Sequence, residues 1–352
     1  MIRRVMDSSG QKRGTATETG PDRLPTMSDV AARAGVSRQL VSMVFRGVSG
    51  PSEASRKLVL AAAAELDFRP NASARLLRQS RTHLIGVLFS AMNSFEGRVV
   101  ERLLERAAEE GYGVVLGPVT ERRTTEVVIS QLLEHRVGAL ACYNPDPESP
   151  ALKRALELMP VVWMGERSRE PRADVVRTDD DAGLALLVSH LAGLGHREIA
   201  YAGGLGGVVG PDRAQTYRAA MAAQGLAGEI DVVEVAFGEE DGATAARTLL
   251  AREKLPTAVI GCSDHCGAGL LATFRQAGVD VPGAISVTGY DDSDIASLSY
   301  NDLTAIHQDV NLTVEATLSA ITRRLADSEA PPMDVATTAT LIARSTTRPP
   351  RD

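Results

Sequence analysis

"MSDVAARAGVSRQLVSMVF", residues Met27 to Phe45, holds two short bursts of helical periodicity broken by one glycine. Thr26 followed by Asp29 reads as a capping box that opens a helix over Met27–Ala34. Gly35 supplies a left-handed turn, and Ser37 caps a second helix, Arg38–Phe45. On that helix Val41, Val44 and Phe45 share one face while Arg38, Gln39 and Ser42 fall on another. Ala31, Val36 and Val41 are the expected contacts between the two. Helices this short need a third for a core. Ser52 caps it, and Glu53–Leu66, with Leu58, Val59, Ala62 and Leu66 on one face, supplies it. The pattern is that of a helix-turn-helix whose second member enters the DNA major groove. A plain three-helix cap without a ligand is the competing reading.

Charge by itself leaves a polyanion-binding module and a merely solvated basic surface equally open, and it is the two-helix pattern that favours the first. Residues 1–82 carry 14 Lys+Arg against 7 Asp+Glu, a balance of +7, which leaves −14 for the rest of a chain whose total is −7. A basic head on an acidic body suits a module that approaches a polyanion while the body stays repelled from it. At 352 residues and 44% hydrophobic, the chain is long enough for two or three domains. No run approaches a membrane span and no apolar h-region follows "MIRRVMDSSGQKRG", so the expected location is the cytoplasm. Cys142, Cys262 and Cys266, an odd number, are expected as reduced thiols.

In "FRPNASARLLRQSRTHLIGV", Pro70 ends the third helix, Asn71 can cap a new one, and 72–78 is a short amphipathic helix before a strand at His83–Phe89. Such a piece makes sense if it orders with its symmetry mate on DNA, a leucine wedging between base pairs. The alternative is a linker helix packed on the body. From His83 onward strand-like and helix-like segments alternate, with strands at Tyr112–Leu116, Ala139–Cys142, Val161–Met164, Glu198–Ala202, Val232–Ala236, Ala258–Gly261 and Ile285–Gly289. That layout is doubly wound α/β, and its length suggests two parallel-sheet lobes with a ligand crevice at the strands' carboxyl ends.

Taken in order, "MSDVAARAGVSRQLVS", "RPNASARLL" and "HLIGVL", followed by "HLAGLGHREIAYAGG", "ISVTGYDDSDIAS", "LTAIHQD" and "LIARST", resemble the lactose, galactose and purine repressor (LacI/GalR) family of bacterial transcription regulators. Only residues 1–24 lie outside the likeness, and these read as a disordered arm. The resemblance implies an all-α helix-turn-helix head (25–70), a hinge (71–82) and a periplasmic-binding-protein-like core of two doubly wound lobes (83–352). The first lobe is expected at about 83–178 and 305–345 and the second at about 179–304, with a break near Thr178 and a return crossing near Asp302.

It also implies site residues. On the DNA side stand Ser37 at the helix start, Arg38 and Gln39 as base readers, Ser42 on a phosphate, Met43 and Arg46 as departures from the family pattern, and Asn71, Ala74, Leu77 and Arg78 in the hinge. Arginine suits guanine and glutamine suits adenine. For the effector, Arg213 is expected to grip hydroxyls or a carboxylate, with Asp291 as the binding acid and Asp292 beside it structural. Ser90, Phe95, Trp163, Phe237, Ser263 and Gln308 complete the set, Trp163 reading equally as core. Ser263 stands where the family has asparagine, and Gly165 where some members carry an acid, with Glu166 shifted by one.

Enzymatic readings find no support. "GGLGGVVG" from Gly203 does not satisfy the dinucleotide-binding spacing, and neither a phosphate-binding P-loop nor a nucleophile elbow occurs. "CSDHC", Cys262 to Cys266, has no second Cys/His cluster to complete a zinc site. The expectation is therefore a cytoplasmic, nucleoid-associated repressor without cofactor or metal, a homodimer on a near-palindromic double-stranded operator, answering to a small metabolite such as a sugar. The terminal "TRPPRD" leaves no heptad for tetramer formation. A solute-binding receptor with no DNA role is the rival.

Overall fold

A computed structural model describes residues 24–45, 47–69, 82–120, 122–168 and 170–351. The chain divides into two compact units, Met1–Ser80 and Arg81–Asp352. In the first, helices α1 (Met27–Ala34), α2 (Arg38–Phe45) and α3 (Glu53–Glu65) follow the expected boundaries to within a residue. Their ends are held by the residues expected to hold them. The Thr26 amide and hydroxyl both donate to the Asp29 carboxylate at 2.7 Å, and the Leu40 and Ser55 amides donate to the Ser37 and Ser52 hydroxyls. Gly35 takes the left-handed conformation, φ 65°, that lets Val36 donate back to the Ala31 carbonyl. Val30, Val41 and Val59 meet in a fully buried centre, closed by an edge-to-face pair of Phe45 and Phe68. Leu58 corrects the expected face of α3. It is 51% exposed, while Val59 and Ala62 turn inward as expected and Ala63 joins them.

The second unit holds two six-stranded sheets. The first contains β1 (Leu84–Ser90), β2 (Gly113–Val119), β3 (Ala139–Tyr143), β4 (Val161–Met164), β5 (Asp174–Thr178) and β11 (Asp334–Thr337) in the order β11-β5-β4-β3-β1-β2, all parallel. Separate apolar clusters on its two faces include Val87, Val99 and Met164 on one and Leu88, Leu132 and Trp163 on the other. The second sheet contains β6 (Ile199–Gly204), β7 (Asp231–Val235), β8 (Ala258–Gly261), β9 (Ser286–Asp291), β10 (Thr304–Gln308) and β12 (Ala339–Ile342) in the order β12-β10-β9-β8-β6-β7. Only β12 runs antiparallel.

The chain crosses between lobes three times, after Thr178, after Gln308 and after Thr337. This corrects the expected return near Asp302. β10 pairs with β9, Thr304 opposite Thr288, so it belongs to the second lobe. The final residues also return there rather than completing the first: Thr346 accepts from the Thr304 amide through its hydroxyl and from the Val287 amide through its carbonyl. Apolar alternation marks a strand, but only the neighbour it pairs with assigns it to a sheet.

Candidate functional site

In the first unit the candidate site is the outer face of α2. Ser37, Arg38 and Gln39 are exposed at its start, Ser42 and Met43 are half-buried, and Val41 and Val44 anchor the opposite face. The hydroxyl of Ser37 is already engaged as the helix cap. Arg46, Asn71, Ala74, Leu77 and Arg78, with the hinge helix and the amino-terminal arm up to residue 23, lie outside the described residues.

In the second unit the strand ends of both lobes meet. Asp291, the last residue of β9, has φ 114° and is 7% exposed. Its Oδ1 accepts from Gln308 Nε2 at 2.5 Å and lies 4.0 Å from Arg213 Nη1. Gln308 in turn accepts from the Thr178 hydroxyl, so two of the crossing strands are tied through one amide. The Arg213 guanidinium donates to Asp180 Oδ1 at 3.2 Å and to the Cys262 carbonyl at 3.0 Å, and lies 4.0 Å above the Tyr290 ring. Tyr290 donates to the same Asp180 oxygen at 2.6 Å. Burial alone would push the Arg213 pKa down, but Asp180, Tyr290 and Asp291 together raise it above its ordinary value, so it stays a cation.

The first lobe contributes the facing wall. Phe95, 6% exposed, packs edge-to-face on Tyr143 at 6.5 Å, and Arg98 lies 5.8 Å over its ring. Arg98 Nη2 reaches across to the Asp291 carbonyl at 3.2 Å, and Ser94 Oγ meets His265 Nε2 across the lobes at 3.1 Å. Glu96 accepts the Ser90 amide at 2.6 Å and is buried. Burial, opposed by that hydrogen bond and assisted by Asp291, raises its pKa to about 7. Asp291 is pushed up to about 6, again chiefly by burial. The Tyr143 hydroxyl and Arg98 Nε are buried without hydrogen-bond partners. A small hollow of about 20 Å³ is lined by Glu166, Thr178, Asp180, Val209 and Asp212, among others.

Arg213, Asp291 and Gln308 thus come together in one network, with Ser90 and Phe95 on the facing wall. Phe237 is half-buried against the glycine loop: a Cβ on Gly206 would come within 2.8 Å of its ring. Trp163 and Ser263 are placed otherwise. Trp163 is 3% exposed in the outer core of the first lobe, its indole N–H donating to Glu166 at 2.9 Å. Ser263 caps the helix Asp264–Gln276 and donates to the Phe237 carbonyl. Asp292 has a structural setting, paired with Arg344 at 2.6 Å and His307 at 2.9 Å. All three cysteines are free and buried, and burial pushes Cys142 up to about 12. Among the described residues no cluster of three His, Cys, Asp or Glu could hold a metal.

Sequence reading missed Glu96, Arg98, Tyr143 and Asp180. Two of the four carried a signal that points elsewhere: Glu96 and Asp180 stand in first helical turns, where acids are ordinarily solvated complements to the helix dipole.

Residues 26–71 match the model of bacterial regulatory proteins, lacI family, and residues 188–347 that of a periplasmic binding protein-like domain. The ribose operon repressor of Escherichia coli (strain K12) is 32% identical over 309 residues, covering 86% of this chain and 93% of that one. The HTH-type transcriptional repressor PurR of Photobacterium profundum is 30% identical over 313 residues, with 86% and 93% covered. Among solved structures, the lac repressor dimer bound to operator and the anti-inducer ONPF matches at TM-score 0.82 and 28% identity, covering 93% of this chain and all of that one. The transcriptional regulator CelR in complex with cellobiose matches at TM-score 0.69 and 28% identity, covering 92% and 100%.

Proposed function

Since the chain belongs to the lacI family of bacterial regulatory proteins, we propose that it is a homodimeric, sequence-specific repressor whose hold on its operator is set by a small polar metabolite between the lobes. The observation that carries this reading is the coexistence in one chain of an exposed polar helix face on a three-helix head and a buried Arg213–Asp180–Asp291–Gln308 network where two lobes meet. Arg38 and Gln39 read base edges, each good bidentate contact contributing about 1 to 3 kcal/mol of discrimination. Ser42 holds a phosphate, and a two-fold protein meets a near-palindromic site. Hinge residues Asn71, Ala74, Leu77 and Arg78 add minor-groove contacts.

Because residues 180 and 308 flank segments that cross between lobes and Asp291 is bonded to Gln308, a ligand bonded to them favours one lobe arrangement over another. Its differential affinity for the two is what couples cleft to DNA. A sugar-class effector is supported by the ribose operon repressor and the cellobiose complex among the relatives. Its role here is regulatory rather than catalytic, and its place the bacterial cytoplasm. The test is selection of full-length protein on a random duplex library, followed by operator titrations with and without sugars. Recovery of a near-palindromic site whose affinity a sugar changes is expected; no enriched sequence, with or without sugars, overturns the reading.

A further inference from the structure

We propose that Glu96 is a specificity-determining residue of the cleft: with Asp291 it admits ligands that donate hydrogen bonds to both carboxyls, uncharged polyols and their amino derivatives, and turns away phosphorylated or carboxylated ones. The inference rests on the reading of the cleft as the effector site and narrows the class of effector.

The local structure shows why this acid is not an ordinary helix-start residue. Asn93 caps the helix Ser94–Glu109, its side chain accepting the Phe95 and Glu96 amides at 3.0 and 3.2 Å, so the cap does not need the Glu96 carboxylate. Helical spacing aligns Glu96 with Val99, Val100 and Leu103 on the buried face, leaving it 4% exposed. Its carboxyl turns back to the Ser90 amide, and one such bond is small compensation for a buried charge. Among the described residues no Lys, Arg or His pairs with it, and the charge that it does feel is Asp291 of the opposite lobe, which repels it.

The cations nearby are committed. Arg213 is held by Asp180, the Cys262 carbonyl and Asp291, and Arg98 spends Nη2 on the Asp291 carbonyl while lying over Phe95. An incoming phosphate or carboxylate would meet the carboxyls of Glu96 and Asp291, while of the two guanidiniums Arg213 is already paired with Asp180 and Arg98 is turned toward the Asp291 carbonyl. A hydroxyl both donates and accepts. A polyol can give one hydroxyl proton to Glu96 and another to Asp291, and take from the Tyr143 hydroxyl or Arg98 Nε, both buried without partners among the described residues. Such a ligand satisfies both kinds of group; an anion can satisfy only the donors.

The experiment is calorimetric titration of the full-length protein at pH 8 with matched sets: glucose, ribose and galactose, each with its phosphate ester, its sugar acid and its amino derivative. An uncharged sugar is expected to bind, its amino derivative to stay within about tenfold, and its phosphate ester and acid to bind about a hundredfold more weakly, since juxtaposed like charges cost several kcal/mol. Glu96→Gln can still accept from the Ser90 amide, and should narrow the gap between sugar and phosphate ester by about tenfold with an unchanged melting profile at that pH or a higher one. A gap that Glu96→Gln leaves unchanged assigns exclusion to shape and overturns the proposal. So does a panel from which no uncharged member binds. Sugar binding that obeys the charge rule but leaves operator affinity unaltered would instead sink the effector reading and spare the charge rule.

Discussion

The head and the cleft present polar groups for recognition in opposite ways. The head keeps a small core of Val30, Val41 and Val59 and places Arg38 and Gln39 outside it, in water, on a helix whose start is held by Ser37. The cleft buries its polar groups: Arg213, Glu96, Asp291 and Gln308 are each less than a tenth exposed, and all but Glu96, which holds the nearby Ser90 amide, depend on partners from distant parts of the chain. Exposed groups keep water as a partner and lose little when a neighbour changes. Buried ones have shifted pKa values and leave costly orphans when one member is removed. The head is therefore tolerant and local, the cleft coupled and fragile.

The largest expected effect separates the two regions outright. Deleting residues 1–82 should abolish specific operator binding in gel-shift titrations while leaving ligand affinity unchanged by calorimetry; operator affinity retained by the fragment would break the division. Within the cleft, Arg213→Ala leaves the buried Asp291 and the partly buried Asp180 without their cation. It should cost about 3 to 5 kcal/mol in urea unfolding, and a cost below about 1 kcal/mol would mean that the network is not coupled.

Glu96 and Asp291 hold their protons more tightly folded than unfolded, so the stability they contribute is full below about pH 4 and is lost as pH rises through about 6 and about 7. For Glu96 alone, a rise from 4.5 to about 7 corresponds to roughly 3 kcal/mol. Unfolding measured from pH 4 to 8 should show that decline, and Glu96→Gln should flatten it; an identical slope in the variant would show that Glu96 titrates normally. On the head, Arg38→Ala or Gln39→Ala should relax base preference at one operator position by about 1 to 3 kcal/mol with little change in melting. An equal loss on every sequence would reassign the residue to the phosphate backbone. Smallest is Ser37→Ala, which removes the acceptor for the Leu40 amide and should cost about 1 kcal/mol of head stability, read as a shift in its thermal melting.

The same contrast explains what could be read from the chain. Thr26, Gly35, Ser37 and Ser52 act within four residues of their own positions, so caps, turn and helix limits are legible from sequence. The exception is Leu58, whose spacing places it on the core face with Val59 and Ala62 but which lies outside it, Ala63 joining them instead. Arg213, Asp291 and Gln308 were identified through family likeness, and the fold brings them together. Glu96 escaped because nothing in "NSFEGR" distinguishes a buried acid from a solvated one in a first helical turn.

By itself, then, the sequence determined the helix-turn-helix head, the alternation that makes the body α/β, and the basic-to-acidic division of charge, because these depend on near neighbours and on composition. Only the tertiary structure decided that β10 and β12 join the second sheet, that Trp163 packs in a core and steadies Glu166, and that Glu96 is buried with its carboxyl on the Ser90 amide. Those outcomes depend on which strand pairs with which and on what surrounds a charge once water has left, and both involve residues far apart along the chain.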